Sequence, residues 1–178
     1  MHSPLSTDTD LQPRALELAD LTHLARSIRL PAQPAAIFRD VQEVAAATIG
    51  MRLFTIMAYD AEHEEVERLY SNMPDVYPNG GRKKKRGTPW AQRILADLKP
   101  FRAATQDDLR DAFDDHAVMT SMGLGSILNI PIAFDGRCIG TMNLTHVEGW
   151  YTARHEELGI LLGAFLAPAL VAHRGAQH

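Results

Sequence analysis

Between Ser126 and His146, two apolar runs flank Asp135-Gly136. The first run, Ser126 to Phe134, carries Ile127, Leu128, Ile130, Ile132 and Phe134; the second, Arg137 to His146, carries Cys138, Ile139, Met142 and Leu144. An Asp-Gly pair between such runs predicts a tight I′ hairpin, because both central residues need positive φ. Neither run is polar at every second residue, so both faces should be covered and the hairpin should lie at the centre of a sheet. Period-two geometry places Leu128, Ile130 and Ile132 with Gly140, Met142 and Leu144 on a greasy face suited to helices. The opposite face is mixed, with Ile127, Asn129 and Pro131 on one strand and Ile139, Thr141, Asn143 and Thr145 on the other. Polar residues in mid-sheet are either hydrogen-bonded among themselves or line a polar cavity, and the hairpin alone leaves both open.

The rest of the chain supplies the other elements. Residues 1–13 are polar and contain proline, which predicts a flexible N-terminal arm. A helix is expected over about Arg14 to Arg29, with Leu18, Leu21, Ala25 and Ile28 as its stripe. A second starts near Pro34, presents Ile37, Val41, Val44 and Thr48, and stops at Gly50. Met51 to Tyr59 reads as a buried strand, and Glu65 to Ser71 as its hairpin partner with charges suited to an edge. In that partner Val66, Arg68 and Tyr70 alternate against Glu67 and Leu69. The segment from Asn72 to Gly87 is irregular and contains the basic run Arg82 to Arg86. Lys83 to Lys85 read as a solvated loop. Arg82 follows Gly80-Gly81 and precedes a helix capped at Thr88, a grouping that would hold an anion if its parts converge. That helix presents Trp90, Ile94 and Leu98. A short strand at Pro100 to Ala104, a helix capped at Thr105, and a connector from Ala117 to Gly125 lead into the hairpin. After it, Thr152 caps a last helix running to about His173, with Pro168 as a kink. That helix is apolar almost all round, which predicts burial on more than one side, including against a second copy of the chain.

Length and composition narrow the class. A chain of 178 residues, 46% hydrophobic and 22% charged, fits one domain with a substantial core. A net charge of -4 gives no reason to expect nucleic acid or an anionic membrane surface. The single cysteine, Cys138, makes no internal disulfide and suits a reducing, cytoplasmic setting. No segment reads as a membrane span or signal peptide. No nucleophile elbow, phosphate loop or zinc helix motif is present, and Asp115-His116 with His146 is not a metal-ligand spacing, so no metal and no cofactor are expected.

The order of elements, with GSILNIPIAFDGRCIGTMNLTH followed by YTARHEELGILLGAFL, resembles the GAF domain family over about residues 20–172. The resemblance implies an α+β fold: a central antiparallel sheet with helices on one face and a small-molecule cavity under loops and short helices on the other. It frames residues 14–173 as a single domain whose N- and C-terminal helices form a helical layer. It also implies dimerisation through those helices. Such sensors are usually fused to an output domain; here a separate output protein is the possible partner. Bilin-attaching and methionine-sulfoxide-reducing members use cysteines in ways that the lone Cys138 does not suggest.

On this frame, the ligand-binding candidates are Tyr70, Arg82, Trp90, Asn129, Thr141, Asn143 and Trp150, with His116 and His146 as acid or base if the protein is an enzyme. Arg82 would pair a carboxylate or phosphate, and Asn129 and Asn143 would read amide or ring atoms. Each has an alternative reading. Trp90 and Trp150 suit core or lid packing, His116 suits a helix C-terminus, and His146 suits a bond to a nearby carbonyl. The readings in play are a stand-alone sensor holding a small anionic or aromatic metabolite, a small enzyme acting on a carboxylated substrate, and a dimerisation scaffold.

Overall fold

The computed structural model describes residues 12–176. The N-terminal arm expected over residues 1–13 therefore lies almost wholly outside the described residues. The elements are α1 (Leu18–Ser27), α2 (Ala35–Thr48), β1 (Leu53–Asp60), β2 (Glu65–Ser71), β3 (Arg82–Lys84) and α3 (Pro89–Ala91), which continues as a π-helical turn, Gln92–Ala96. They are followed by β4 (Phe101–Ala103), α4 (Gln106–Ala112), α5 (His116–Ser121), β5 (Ser126–Phe134), β6 (Arg137–His146), α6 (Ala153–Ala164) and α7 (Ala167–Gly175).

The strands form one antiparallel sheet in the order β3-β2-β1-β6-β5-β4. Asp135 and Gly136 both have positive φ, 50° and 70°, as the I′ turn requires. The β5–β6 hairpin therefore lies inside the sheet, with β1 on one side and β4 on the other. The edge beyond β2 is taken by β3, so the charged β2 is an inner strand rather than the expected edge. The expected connector after Ala117 contains α5.

The two faces separate as the period-two pattern predicts. Leu128, Ile130, Ile132, Met142 and Leu144 join Phe54, Ile56, Ile37, Val41, Leu162 and Leu170 in the main core beneath the helices. Two bulges shift the phase. One lies between Ile132 and Ala133, opposite a step from Gly140 to Cys138, and it turns Ile139 into the helix-side core instead of the mixed face. The other lies between Ile56 and Met57 and skips Leu69. It puts Tyr70 opposite Ile56, on the helix side, and leaves Arg68 opposite Met57 on the other face.

Helix boundaries also differ from the periodicity. A reciprocal cap between Glu17 and Asp20 starts α1 at Leu18, four residues later than expected. Its buried face is Leu24 and Ser27, while Leu18 and Ala25 are exposed. The last helix is two helices bent by 47°. Pro168 falls in the first turn of α7, where its missing N–H leaves no hydrogen bond unmade. Among the described residues no single helix is long and apolar enough to cross a membrane.

At Gly140 a neighbouring strand and a helix both approach the backbone closely. A Cβ there would lie 2.3 Å from the Met57 carbonyl oxygen and 2.7 Å from Leu170 Cδ1. Gly140→Ala must therefore separate β1 from β6 or displace α7. It is expected to lower stability by roughly 1–3 kcal/mol, read as an earlier urea midpoint; an unchanged midpoint would mean the contact is not as tight as described.

Candidate functional site

The mixed face of the sheet is both hydrogen-bonded internally and the floor of a cavity. Trp90 Nε1–H donates to Asn129 Oδ1 at 2.9 Å, and Asn129 Nδ2 donates to Asn143 Oδ1 at 2.7 Å. Asn143 Nδ2 then donates to Thr55 Oγ1 at 3.2 Å and Thr141 Oγ1 at 3.1 Å. One chain of donors thus crosses β5, β6 and β1 and ties them to the start of the helix after Thr88. Each amide on the floor is engaged before any ligand arrives.

Above this floor lies a cavity of about 240 Å³. Leu53, Met57, Val66, Ile127, Phe113, Met119 and Trp90 supply its apolar wall, and Thr55, Asn129, Asn143 and Thr145 its polar floor. Its charged lining is Arg68, Arg82, Lys83 and Lys85 against the single carboxylate of Asp115. Pairing sorts these cations. Arg82 is bound to Glu67 at 2.7 Å and lies 3.5 Å from Glu65, and Lys83 is bound to Asp114 at 3.2 Å. Arg68 and Lys85 have no carboxylate within ion-pair distance among the described residues.

Arg68 projects from β2 over the Tyr77 ring, with its guanidinium carbon 5.2 Å from the ring centroid. Its Nη1 donates to the Pro78 carbonyl at 3.1 Å, while its buried Nε–H has no partner among the described residues. Burial lowers its pKa, with Tyr77 and Asp115 opposing, but a guanidinium stays charged. The Tyr77 hydroxyl is also buried, with no hydrogen-bond partner among the described residues. Burial first, then the Asp115 charge, pushes it up to about 12. The phenol is therefore a neutral donor near pH 7. Lys85, half-buried, holds its ammonium 4.5 Å from the Trp90 ring centroid and 5.8 Å from that of Phe113. Burial, followed by repulsion from Lys83, lowers its pKa to about 8.

The residues singled out in the sequence divide accordingly. Arg82, Trp90, Asn129 and Asn143 line the cavity. Thr141 is buried beneath it as an acceptor for Asn143. Tyr70 faces the helices, where its hydroxyl donates to Gln42 Oε1 at 2.7 Å and its ring packs against Phe38 and Phe54. His146 and Trp150 stack at 3.7 Å away from the cavity, and Trp150 Nε1–H donates to the Ile49 carbonyl. His146 Nδ1 accepts from the Val147 N–H. His116 does not line the cavity, and its Nδ1 lies 3.0 Å from the Phe113 carbonyl. Cys138 is buried outside the cavity, and burial raises its thiol to about 11. Among the described residues no cluster of His, Cys, Asp and Glu is arranged to hold a metal.

Arg68, Tyr77 and Lys85 were not distinguished by sequence reasoning. Arg68 carried a usable signal, because it shares a strand face with the apolar Val66. Lys85 did not: it sits in a run of five basic residues, and its burial depends on where Trp90 folds back.

A six-stranded antiparallel sheet with helices on one face and a compact cavity on the other is an α+β architecture. The GAF domain model matches residues 31–171, and the chain belongs to the GAF domain family, whose members generally bind small molecules in sensing roles. No curated protein matches it. Among solved structures, the GAF domain of a phosphoenolpyruvate-protein phosphotransferase from Coxiella burnetii is similar, with a TM-score of 0.72 and 17% identity, over 90% of this chain and 95% of that one. The GAF domain of a two-component sensor histidine kinase from Bacillus halodurans has a TM-score of 0.64 at 14% identity, over 82% of this chain and 99% of that one. The phycocyanobilin-bound GAF domain of a cyanobacterial phytochrome has a TM-score of 0.63 at 16% identity, over 90% and 99%. At such identities the likeness is one of fold.

The donor chain on the floor carries a stability consequence. Asn129→Leu strands the buried Trp90 N–H and removes the partner of Asn143 Oδ1. Each orphaned group costs about 1–3 kcal/mol, so the urea midpoint is expected to fall and Trp90 emission to change. A variant as stable as the parent would show that the chain of donors is not structural.

Proposed function

We propose that this protein is a small-molecule-binding sensor or regulatory protein whose ligand is a small anion with an aromatic or apolar body. The observation that carries this is the presence of two cations, Arg68 and Lys85, on an apolar cavity with no carboxylate within ion-pair distance among the described residues. Unpaired charge at an apolar cavity is costly unless something neutralises it. A carboxylate or phosphate would do so, taking the Arg68 fork and the Tyr77 O–H while its body rests on Trp90, Phe113 and Ile127. Arg82, the cation favoured by sequence, is already neutralised by Glu65 and Glu67 and serves as a rim charge in this scheme.

The enzyme alternative assigned acid and base roles to His116 and His146, and neither lines the cavity. Binding is the better supported reading for that reason. Partial exposure of Ile160, Leu161 and Val171 on α6 and α7 supports a homodimer paired through the terminal helices, with any output passed to a separate protein. The free cysteine supports a cytoplasmic setting.

Isothermal titration with substituted benzoates, using the matching neutral benzamides as controls, tests the ligand class. Benzoates are expected to bind and benzamides to bind far more weakly. Arg68→Gln removes charge-assisted hydrogen bonds of about 1.5–3 kcal/mol, so its affinity should fall roughly ten- to hundred-fold; Arg82→Gln should cost less. Benzoate affinity should be highest below about pH 8 and fall as pH rises through it, because an anion favours protonated Lys85. Equal binding of acids and amides, or indifference to Arg68→Gln, would overturn the reading.

A further inference from the structure

The basic run Arg82 to Arg86 is not uniform once folded. Arg82 and Lys83 are ion-paired, Arg86 is paired with Glu64, and Lys84 Nζ donates to the His63 carbonyl at 3.1 Å. Lys85 is held differently. Its backbone N–H is fixed to the Glu64 carbonyl at 2.8 Å, which anchors the residue beside β2. Its side chain turns onto the faces of Trp90 and Phe113, and its ammonium has no carboxylate or carbonyl partner among the described residues. A primary amine in an aromatic wall, on a cavity that also presents an unpaired guanidinium, combines a nucleophile with an anion clamp.

We infer that Lys85 forms a reversible imine with the carbonyl group of a small anionic aldehyde or ketone held in this cavity. The inference rests on the anion-binding reading above. In the step, Lys85 releases its proton to solvent and the Nζ lone pair attacks the carbonyl carbon. A C–N bond forms and the carbonyl oxygen takes a proton. The resulting carbinolamine loses water as its C–O bond breaks and the C=N bond forms. Amine and carbonyl become imine and water, with no oxidant or reductant required. A protonated imine keeps the positive charge over the Trp90 ring, where a cation is favoured.

The groups facing Lys85 bear on its reactivity. Burial and then Lys83 favour the neutral amine, Asp115 and Asp114 favour the ammonium, and the balance leaves a pKa of about 8. Arg68, Arg82 and Tyr77 line the same cavity. A free amine is therefore available near neutral pH to a degree that an ordinary surface lysine does not match.

The test uses the full chain near pH 8, with 4-carboxybenzaldehyde as the probe and borohydride added to trap any imine. Peptide mass mapping then locates the adduct. One adduct per chain is expected, on Lys85 rather than Lys84 or Lys99, and excess 4-methylbenzoate should suppress it. Lys85→Arg, which removes the primary amine, should abolish trapping, whereas Lys84→Arg, outside the cavity lining, should leave it unchanged. If 4-methylbenzoate binds but the trapped label is spread over surface lysines, the imine inference fails and the anion-binding reading stands. If 4-methylbenzoate does not bind and its excess does not suppress labelling, the anion-binding reading fails and takes this inference with it.

Discussion

A polar sheet face can be buried only if its side chains satisfy one another, since each orphaned donor or acceptor costs about 1–3 kcal/mol. Here the sequence of donors from Trp90 to Asn129 to Asn143, ending on Thr55 and Thr141, meets that condition. It holds three strands in register on the side away from the main core. It also fixes the Trp90 ring at the wall, where Lys85 rests on it. The floor therefore offers shape and mild polarity, while strong recognition is left to the charged rim. Both readings of the mixed face are consequently true together, because self-satisfaction makes the cavity floor stable when empty.

Charge on the cover is partitioned by the β2–β3 edge. Along β3 and its flanks, Arg82 and Arg86 pair with Glu64, Glu65 and Glu67 and Lys84 bonds the His63 carbonyl, while Lys83 and Lys85 turn toward the cavity, as alternate residues of an extended segment do. The acidic residues of β2 consume Arg82, so the unpaired cations are those that the alternation and the bulge at Leu69 leave on the inner side. Arg68 owes its position to that bulge. Without the skipped residue, Arg68 and Tyr70 would share a face.

Much of the fold was legible in the sequence because the signals were local. The Asp135-Gly136 turn demanded positive φ, the period-two runs separated greasy from mixed faces, and Thr88, Thr105 and Thr152 marked helix starts that the structure has. What was not legible depended on a single inserted residue or a distant partner. The bulges at Leu69 and Ile139 reverse face assignments that strict alternation makes, which is why Tyr70 was placed in the cavity and faces the helices instead. Of the candidate site, Trp90, Asn129 and Asn143 follow from the hairpin and the capped helix beside it. His146 and Trp150 lie at the strand end and the turn after it, where the chain passes over Gly50 and stacks them against the helix side. Lys85 was hidden within a basic run that composition assigns to solvent, because its burial requires Trp90 and Phe113 from two later elements.

The central claim is that a small aromatic anion occupies this cavity with its charge on Arg68. Soaking or co-crystallising the protein with 4-bromobenzoate and locating the bromine by anomalous scattering tests it most directly. The account predicts one strong peak inside the cavity, near Ile127 and Trp90, with the carboxylate against Arg68 and the Tyr77 hydroxyl. A bromine found only on the outer surface, or a carboxylate bound at Arg82 with Arg68 untouched, would contradict it.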